Sequence, residues 1–322
     1  YLPDDGFVFT STRQQAHIRC QYGGRYFANF VLHRGELKDI EELGPRVARI
    51  SFNEAPEWEP SVRADGSVLY TRWDYINRHW NWFQSLWLTR PDGTGVAHVY
   101  GNYTRNPCVT AEPRAVPGSR GIISTAAAHH GYTAGSLILI DPRVGADGPE
   151  PIVRLTPEVT FPESEYRGAT PEQADALIHS ASGINNMVAF PLHGAYCNPY
   201  PLSEDLFLVA YTPSKLAKEG QQQDGVPYGI FLLDSLGGLE LIYRDPEMSS
   251  FAPFPIAARK TPPVLPSTIA PEREAKTGVC YVDNVYESTQ SIPAGKVKSL
   301  RVIQIEEQTV EFPPSRGKAI LD

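Results

Sequence analysis

One short phrase recurs four times along this chain: a tight polar turn, a β-rich run ending in or near Ser or Thr, a loop, and a second β-rich run. The copies open at Asp4-Asp5-Gly6 with Phe7-Val8-Phe9-Thr10-Ser11, at Ala64-Asp65-Gly66 with Val68-Leu69-Tyr70-Thr71, at Pro117-Gly118-Ser119 with Gly121-Ile122-Ile123-Ser124-Thr125, and at Ser203-Glu204-Asp205 with Leu206-Phe207-Leu208-Val209. Repetition on this scale implies stacked copies of one supersecondary unit, none of which buries its apolar face alone. Short runs bounded by Gly, Pro and Asp turns make that unit a β-meander. The expected fold class is all-β: a β-propeller of four-stranded blades, with few short helices confined to insertions.

The second copy shows a whole blade, with strands over 59–63, 67–73, 86–89 and 96–100. Gly66 supplies its first hairpin turn, because glycine tolerates positive φ. The third copy reads as strands over 112–116, 121–125, 136–140 and 151–155, and the fourth over 199–202, 206–210, 228–233 and 239–243. Residues 7–52 read as the second to fourth strands of an earlier blade, with 27–32 and 47–52 as its third and fourth. Residues 251–306 read as three strands of a later one, over 251–257, 279–285 and 299–305. Three complete and two partial blades are therefore expected.

The domain reading is propeller blades over 1–258, then a Pro-rich linker or strap over 259–277. Over 278–322, final propeller strands lead to a C-terminal domain missing from this chain. Tyr1 already lies inside a repeat, so sequence ahead of it is expected as well. Residues 157–198 form a long insertion with a short helix expected at 171–180, and 212–226 form a polar, Gln-rich loop.

The 29 prolines and 26 glycines suit many strands joined by turns. A net charge of −8 argues against a general nucleic-acid binder, which needs a positive footprint. No apolar run reaches the roughly 18 residues of a membrane-spanning helix. Cys20, Cys108, Cys197 and Cys280 form no Cys-x-x-Cys pair and no haem-attachment motif. Free thiols, disulfides and a lone metal thiolate all stay open.

In a four-stranded blade, the loop from strand two to three and the link from strand four to the next blade share one end. That end gathers Arg13, His17, Arg19 and Cys20 from the first blade. From the second it gathers Arg72, Asp74, Tyr75, Arg78, His79, Trp80 and Trp82, and from the third His129, His130 and Tyr132. The long insertion adds His179, His193, Tyr196 and Cys197. Imidazole and thiolate are ligands of zinc, iron and copper, so His17, Cys20, His129, His130 and His193 are candidate metal ligands. The same side chains can instead pack the loops and bond backbone groups. Adjacent residues on a strand point to opposite faces, so at most one of His129 and His130 faces a common ligand.

Arg72, Asp74, Tyr75, Arg78, His79 and Tyr196 form the candidate ligand-binding set. Arg72 and Asp74, two apart on a strand, share a face. They can pair as a brace between blades, or the planar fork of Arg72 or Arg78 can take an anionic ligand. The tryptophans at 73, 80 and 82 read as packing or as a sugar-stacking platform, and Asp92-Gly93 and Asp147-Gly148 as turns. No nucleophile elbow, phosphate loop or zincin motif is present.

Several of these phrases together resemble a known family. They are Glu59-Pro60-Ser61-Val62 with Asp65-Gly66, Tyr70-Thr71-Arg72-Trp73-Asp74-Tyr75, Thr89-Arg90-Pro91-Asp92-Gly93-Thr94-Gly95, Thr125-Ala126-Ala127-Ala128-His129-His130, Arg154-Leu155-Thr156-Pro157-Glu158, and Asn198-Pro199-Tyr200-Pro201-Leu202-Ser203-Glu204-Asp205. The chain resembles the middle domain of hydrazine synthase alpha subunits and their relatives, most strongly over 54–250. The blade pattern is also similar to the broader TolB-like propeller repeat.

The resemblance implies a periplasmic or otherwise exported propeller within a longer protein, with other subunits or domains of its own chain as partners. In hydrazine synthase this domain hosts a c-type haem with a nearby zinc, and the enzyme builds hydrazine from nitric oxide and ammonium. The implied cofactor is zinc or haem iron, although the covalent haem motif is not in this chain. Three functions follow as expectations. One is a metal- or haem-associated oxidoreductase module, and another a non-catalytic TolB-like propeller acting as a protein-binding or scaffold module. The third is a metal-dependent enzyme acting on acidic polysaccharide, which no carboxylate pair or ligand spacing supports.

Overall fold

The computed structural model describes residues 1–22, 25–36, 47–75, 83–129, 132–165, 194–214, 225–269, 280–282, 284–286, 291–305 and 320–321. These residues are all-β, and no helix occurs among them. The helix expected at 171–180 lies outside the described residues.

The first sheet consists of β1 (Gly6–Ser11), β4 (Val31–Glu36) and β5 (Ala48–Arg49), antiparallel in that order. Between β1 and β4 the chain inserts a hairpin, β2 (His17–Tyr22) with β3 (Arg25–Ala28). This hairpin corrects the strand expected at 27–32: residues 25–28 belong to the insertion, and the sheet strand starts at Val31.

Three four-stranded antiparallel sheets follow, each in simple meander order. The second holds β6 (Glu57–Val62), β7 (Val68–Trp73), β8 (Gln84–Thr89) and β9 (Ala97–Tyr100). The third holds β10 (Thr110–Ala115), β11 (Ile122–Ala126), β12 (Ser136–Ile140) and β13 (Ile152–Arg154). The fourth holds β14 (Ala195–Pro201), β15 (Leu206–Thr212), β16 (Gly229–Asp234) and β17 (Leu239–Tyr243). A two-residue ladder, β18 (Gln304–Ile305) with β19 (Ile320–Leu321), completes the described strands.

The sheets stack face to face in chain order, and side-chain alternation explains how. On β11 and β12, Ile122, Ala126, Ile138 and Ile140 meet Leu69 and Leu86 of the second sheet. The intervening Ile123 and Leu137 meet Phe207, Val209, Phe231 and Leu233 of the fourth. Successive strand residues face opposite sides, so a sheet covered on both faces buries every position. All five residues of β11 are buried accordingly. Leu32, Ile50 and Tyr70 form the corresponding layer between the first and second sheets. This stacking is propeller-like.

The first strands of the second, third and fourth sheets share a further device. Each contains a bulge, between Trp58 and Ser61, Ala111 and Arg114, and Cys197 and Tyr200. At each bulge sits a non-glycine residue of positive φ followed by proline: Glu59 (53°), Glu112 (54°) and Asn198 (49°). Proline has no N–H for the ladder, so the pairing must break there, and the bulge re-aims the preceding side chain. A carboxyl oxygen of Glu59 accepts the backbone N–H of Glu112. A carboxyl oxygen of Glu112 in turn accepts the N–H of Asn198 at 2.5 Å. The amide oxygen of Asn198 accepts the N–H of Ala252 at 3.1 Å, and Ala252 is again of positive φ (50°) and again precedes proline. One hydrogen-bonding phrase is thus passed from sheet to sheet.

The strand expected at 251–257 is not formed, which corrects that reading. Pro253 and Pro255 remove ladder donors, and the segment is held by Ala252 and by the Ser250 N–H on the Tyr228 carbonyl (2.9 Å). The described parts of 279–285 and 299–303 are likewise not strands.

Residues 259–269 run extended across the turns of the second sheet. Asp92 accepts the Thr268 N–H (2.8 Å) and the Ser267 hydroxyl (3.0 Å), and Arg90 donates to the Pro266 carbonyl (2.6 Å). Both turns that this strap crosses use Asx geometry, with Asp65 accepting from Ser67 and Asp92 from Thr94. Gly66, at φ +84°, sits so close to the strap that an added Cβ would lie 2.5 Å from the Pro263 carbonyl oxygen.

Candidate functional site

The loop end gathers around Trp73, the last residue of β7. Asn53 holds this position by donating to the carbonyls of Trp73 (2.7 Å) and Ala55 (2.8 Å), and Asn29 donates to the Asn53 carbonyl (2.9 Å). The inserted hairpin brings Ile18 into a cluster with Ala55 and Trp73, and Cys20, Trp58 and Tyr75 pack against that cluster. Tyr75 meets the Trp73 ring edge-on at 5.2 Å. His129, just beyond β11, meets the same ring at 4.8 Å. The second sheet thus supplies Trp73 and Tyr75 to this point and the third sheet His129, while the inserted hairpin packs Ile18 and Cys20 against the same cluster.

The imidazole of His129 is oriented by Gln84, whose side-chain amide lies 2.9 Å from Nδ1. His17 begins the inserted hairpin, and its Nδ1 is buried with no hydrogen-bond partner. The other two described histidines serve the backbone: His33 Nδ1 lies 2.9 Å from the Val31 carbonyl, and His98 Nε2 accepts the Asn102 N–H at 3.1 Å.

Arg72 and Asp74 form an ion pair at 2.7 Å, and the Arg72 guanidinium lies 4.4 Å over the Trp87 ring. They line the contact between the first and second sheets, beside Glu57 and Tyr70. Burial raises the Glu57 carboxyl despite the Ser51 hydroxyl and the neighbouring Arg72. One Glu57 oxygen and the Tyr70 hydroxyl are buried without a partner.

Tyr196 stands in a different environment. It belongs to the core between the third and fourth sheets, stacks on Tyr211 at 4.3 Å and donates its hydroxyl to Glu158 at 2.9 Å. Burial and the Glu158 carboxylate push its phenol far up. Arg78, His79, His130 and His193, together with His179, Trp80 and Trp82, lie outside the described residues.

The four cysteines are not joined by disulfides. Burial pushes the Cys108 thiol up to about 12 and Cys197 well above its ordinary value. Such thiols are poor nucleophiles, because the thiolate is the reactive form. Glu59 and Glu112 are also raised by burial, and the Glu59 carboxyl adds to the rise at Glu112. Reading single residues missed this relay, yet Glu59-Pro60, Glu112-Pro113, Asn198-Pro199 and Ala252-Pro253 are visible as one repeated dipeptide pattern.

The sequence matches no family model and no curated protein. In structure, the chain is similar to hydrazine synthase of Kuenenia stuttgartiensis, with a TM-score of 0.53 and 15% identity over 81% of this chain. It spans 30% of that protein's chain. The likeness is one of fold, and it agrees with the all-β stack of four-stranded sheets. Among the described residues no helix is long and apolar enough to cross a membrane.

Proposed function

We propose that this chain is the propeller-like module of a longer, exported protein and that its loop end around Trp73 holds a metal, either zinc or a redox-active iron or copper, the iron bare or as haem. The donors among the described residues are His17, Cys20 and His129, with His130 and His193 as further candidates. One observation carries the reading: the cluster around Trp73 has the His129 imidazole against the indole and the Cys20 side chain packed at its edge, two types of metal donor. Sulfur with imidazole suits zinc, iron and copper.

Among the described residues no three His, Cys, Asp or Glu side chains are grouped closely enough to hold a metal ion, so the proposed site needs donors beyond them; two local features support it. His17 carries a buried ring nitrogen with no partner, and Gln84 fixes the His129 ring as an outer hydrogen-bond partner fixes a ligating histidine. A metal there would supply Lewis acidity or one-electron chemistry. The chain's own part is to orient the imidazole through Gln84 and to cover the site with Trp73 and Tyr75. The fold likeness to hydrazine synthase supports a redox setting. Titration of the full chain with zinc, iron and copper, followed by X-ray absorption, tests this. Mixed sulfur and nitrogen scattering, lost in a His17→Ala/His129→Ala double variant, is the expected result. Unchanged scattering in that variant removes the assignment.

A second reading, a non-catalytic scaffold or partner-binding module, draws on the outermost strand of the fourth sheet. Leu241, Ile242 and Tyr243 of β17 are each about half exposed (48%, 56% and 55%). Absence of metal binding by the full chain shifts the account to this reading.

A further inference from the structure

The far ends of the first strands of the third and fourth sheets, where the strap begins, present a cluster that neither reading uses. Arg114 lies two residues after Glu112 on β10, and its guanidinium stands 5.5 Å from the centre of the Tyr200 ring on β14. Arg259, where the strap begins, reaches the same tyrosine, with Nη1 3.5 Å from the hydroxyl. Phe254 closes the group, 5.2 Å edge-on to Tyr200 and 4.5 Å beneath the Arg259 guanidinium.

Two cations thus share one tyrosine, and among the described residues neither has a carboxylate within ion-pair distance. The nearest acids are already committed. Glu59 accepts from the Glu112 backbone, while Glu112 accepts from Thr125 and Asn198. Both carboxyls are raised by burial, which weakens them as counter-charges. Arg114 itself is lowered, first by burial and then in part by Arg259. An arginine that is partly desolvated and faces a like charge gains most from an oxyanion. The planar forks of two guanidiniums with a phenolic hydroxyl are the donor set that carboxylate and phosphate oxygens take.

We propose that Arg114, Arg259 and the Tyr200 hydroxyl form a binding site for a small oxyanion, a carboxylate or a phosphate group. Half of the site is carried by the strap, since Arg259 leads directly into the segment that Asp92 fixes. Anion binding and strap docking therefore support each other. The site stands at the end of the sheets away from the Trp73 cluster and does not depend on any metal there.

The test is calorimetric titration of the full chain at low salt with inorganic phosphate, and separately with acetate. One-site binding of either probe is expected, with phosphate preference assigning a phosphate-bearing ligand and acetate preference a carboxylate. Arg114→Gln and Arg259→Gln each weaken binding at least about tenfold, and Arg114→Lys weakens it too because the fork is lost. Arg259 is exposed on an extended segment, so Arg259→Gln keeps the thermal midpoint of the parent in anion-free buffer. Asp92→Ala, which frees the strap, weakens binding several-fold. Binding of neither probe overturns the site, as does equal binding by a folded Arg259→Gln variant.

Discussion

The Glu112 carboxyl accepts both the backbone N–H and the side-chain amide N–H of Asn198, a residue 86 positions later at the same place in the next sheet. With the Glu59-to-Glu112 and Asn198-to-Ala252 bonds, it ties the first strands together by side chains where proline has removed the ladder. Removing Glu112 leaves the buried Thr125 hydroxyl and two half-buried Asn198 donors without their acceptor. Glu112→Ala is expected to cost about 3 kcal/mol, and Asn198→Ala about 2 kcal/mol, because buried unmade hydrogen bonds carry the full desolvation cost. Urea unfolding measures both, and a loss below that of an ordinary surface substitution contradicts the relay.

The same two carboxyls make stability depend on pH. Burial raises Glu59 and Glu112 above the ordinary glutamate range. A folded state that holds protons the unfolded chain releases is favoured while both states are protonated. That contribution is fully present below the ordinary glutamate range and is lost as pH rises through the raised values. The urea midpoint is therefore expected to fall between about pH 5 and about pH 9. Glu59→Gln removes one charge of the pair, lets Glu112 ionise lower and flattens the fall. A Glu59→Gln slope equal to the parent's excludes the pair as its source.

Asp92 anchors the strap. Burial alone would raise its carboxyl, but the hydroxyl and N–H of Thr94, the N–H of Thr268 and the Ser267 hydroxyl outweigh it and hold it at about 2. This contribution is present above the ordinary aspartate range and is lost only in strong acid, the opposite sense to the glutamate pair. Asp92→Ala is expected to cost about 1 kcal/mol and to open the segment over 259–269 to protease. Gly66→Ala should do the same by a different route, since a Cβ there meets the Pro263 carbonyl oxygen and strains a positive φ. Cleavage of both variants no faster than the parent detaches the strap from this role.

Core packing supplies its own check. Ile138 is fully buried and points from β12 toward Leu69 and Leu86. Ile138→Ala leaves a cavity between two sheets and is expected to cost about 3 to 4 kcal/mol. Arg143→Ala, which removes an exposed pair with Asp141, should leave stability close to the parent's. Comparable losses from the two would mean that the sheets do not pack as described.

How much of this was legible in the sequence depended on how local its cause was. The second to fourth sheets fall within a few residues of their expected strands, because Asp-Gly turns and alternation act within a single hairpin. The Arg72–Asp74 pair was readable for the same reason, being two apart on one strand. The inserted hairpin at 17–28 was missed because residues 13–20 read as a loop and 27–28 as the start of the next sheet strand. The strand expected at 251–257 fails because Pro253 and Pro255 deny the ladder its donors, a local signal that strand propensity outweighed. Trp73 as the meeting point of two sheets and the inserted hairpin, and the 53- and 86-residue links of the relay, depend on how blades stack. Only the shared residue-before-proline phrase could have disclosed the relay beforehand.

Within the Trp73 cluster, Gln84 orients His129 without itself being a metal donor. Gln84→Ala is expected to leave the fold intact and to weaken metal binding about tenfold, the usual effect of losing an outer partner of a ligating histidine. Equal affinity in parent and variant would place the metal elsewhere.

The most direct test is elemental analysis with a visible spectrum, on the full-length protein purified from its own source without chelator. The account predicts near-stoichiometric zinc, iron or copper, with a haem spectrum if the iron is porphyrin-bound, and its loss in a His17→Ala/Cys20→Ser/His129→Ala variant that still folds. Metal no higher than trace in the parent, or full occupancy in the triple variant, would contradict it.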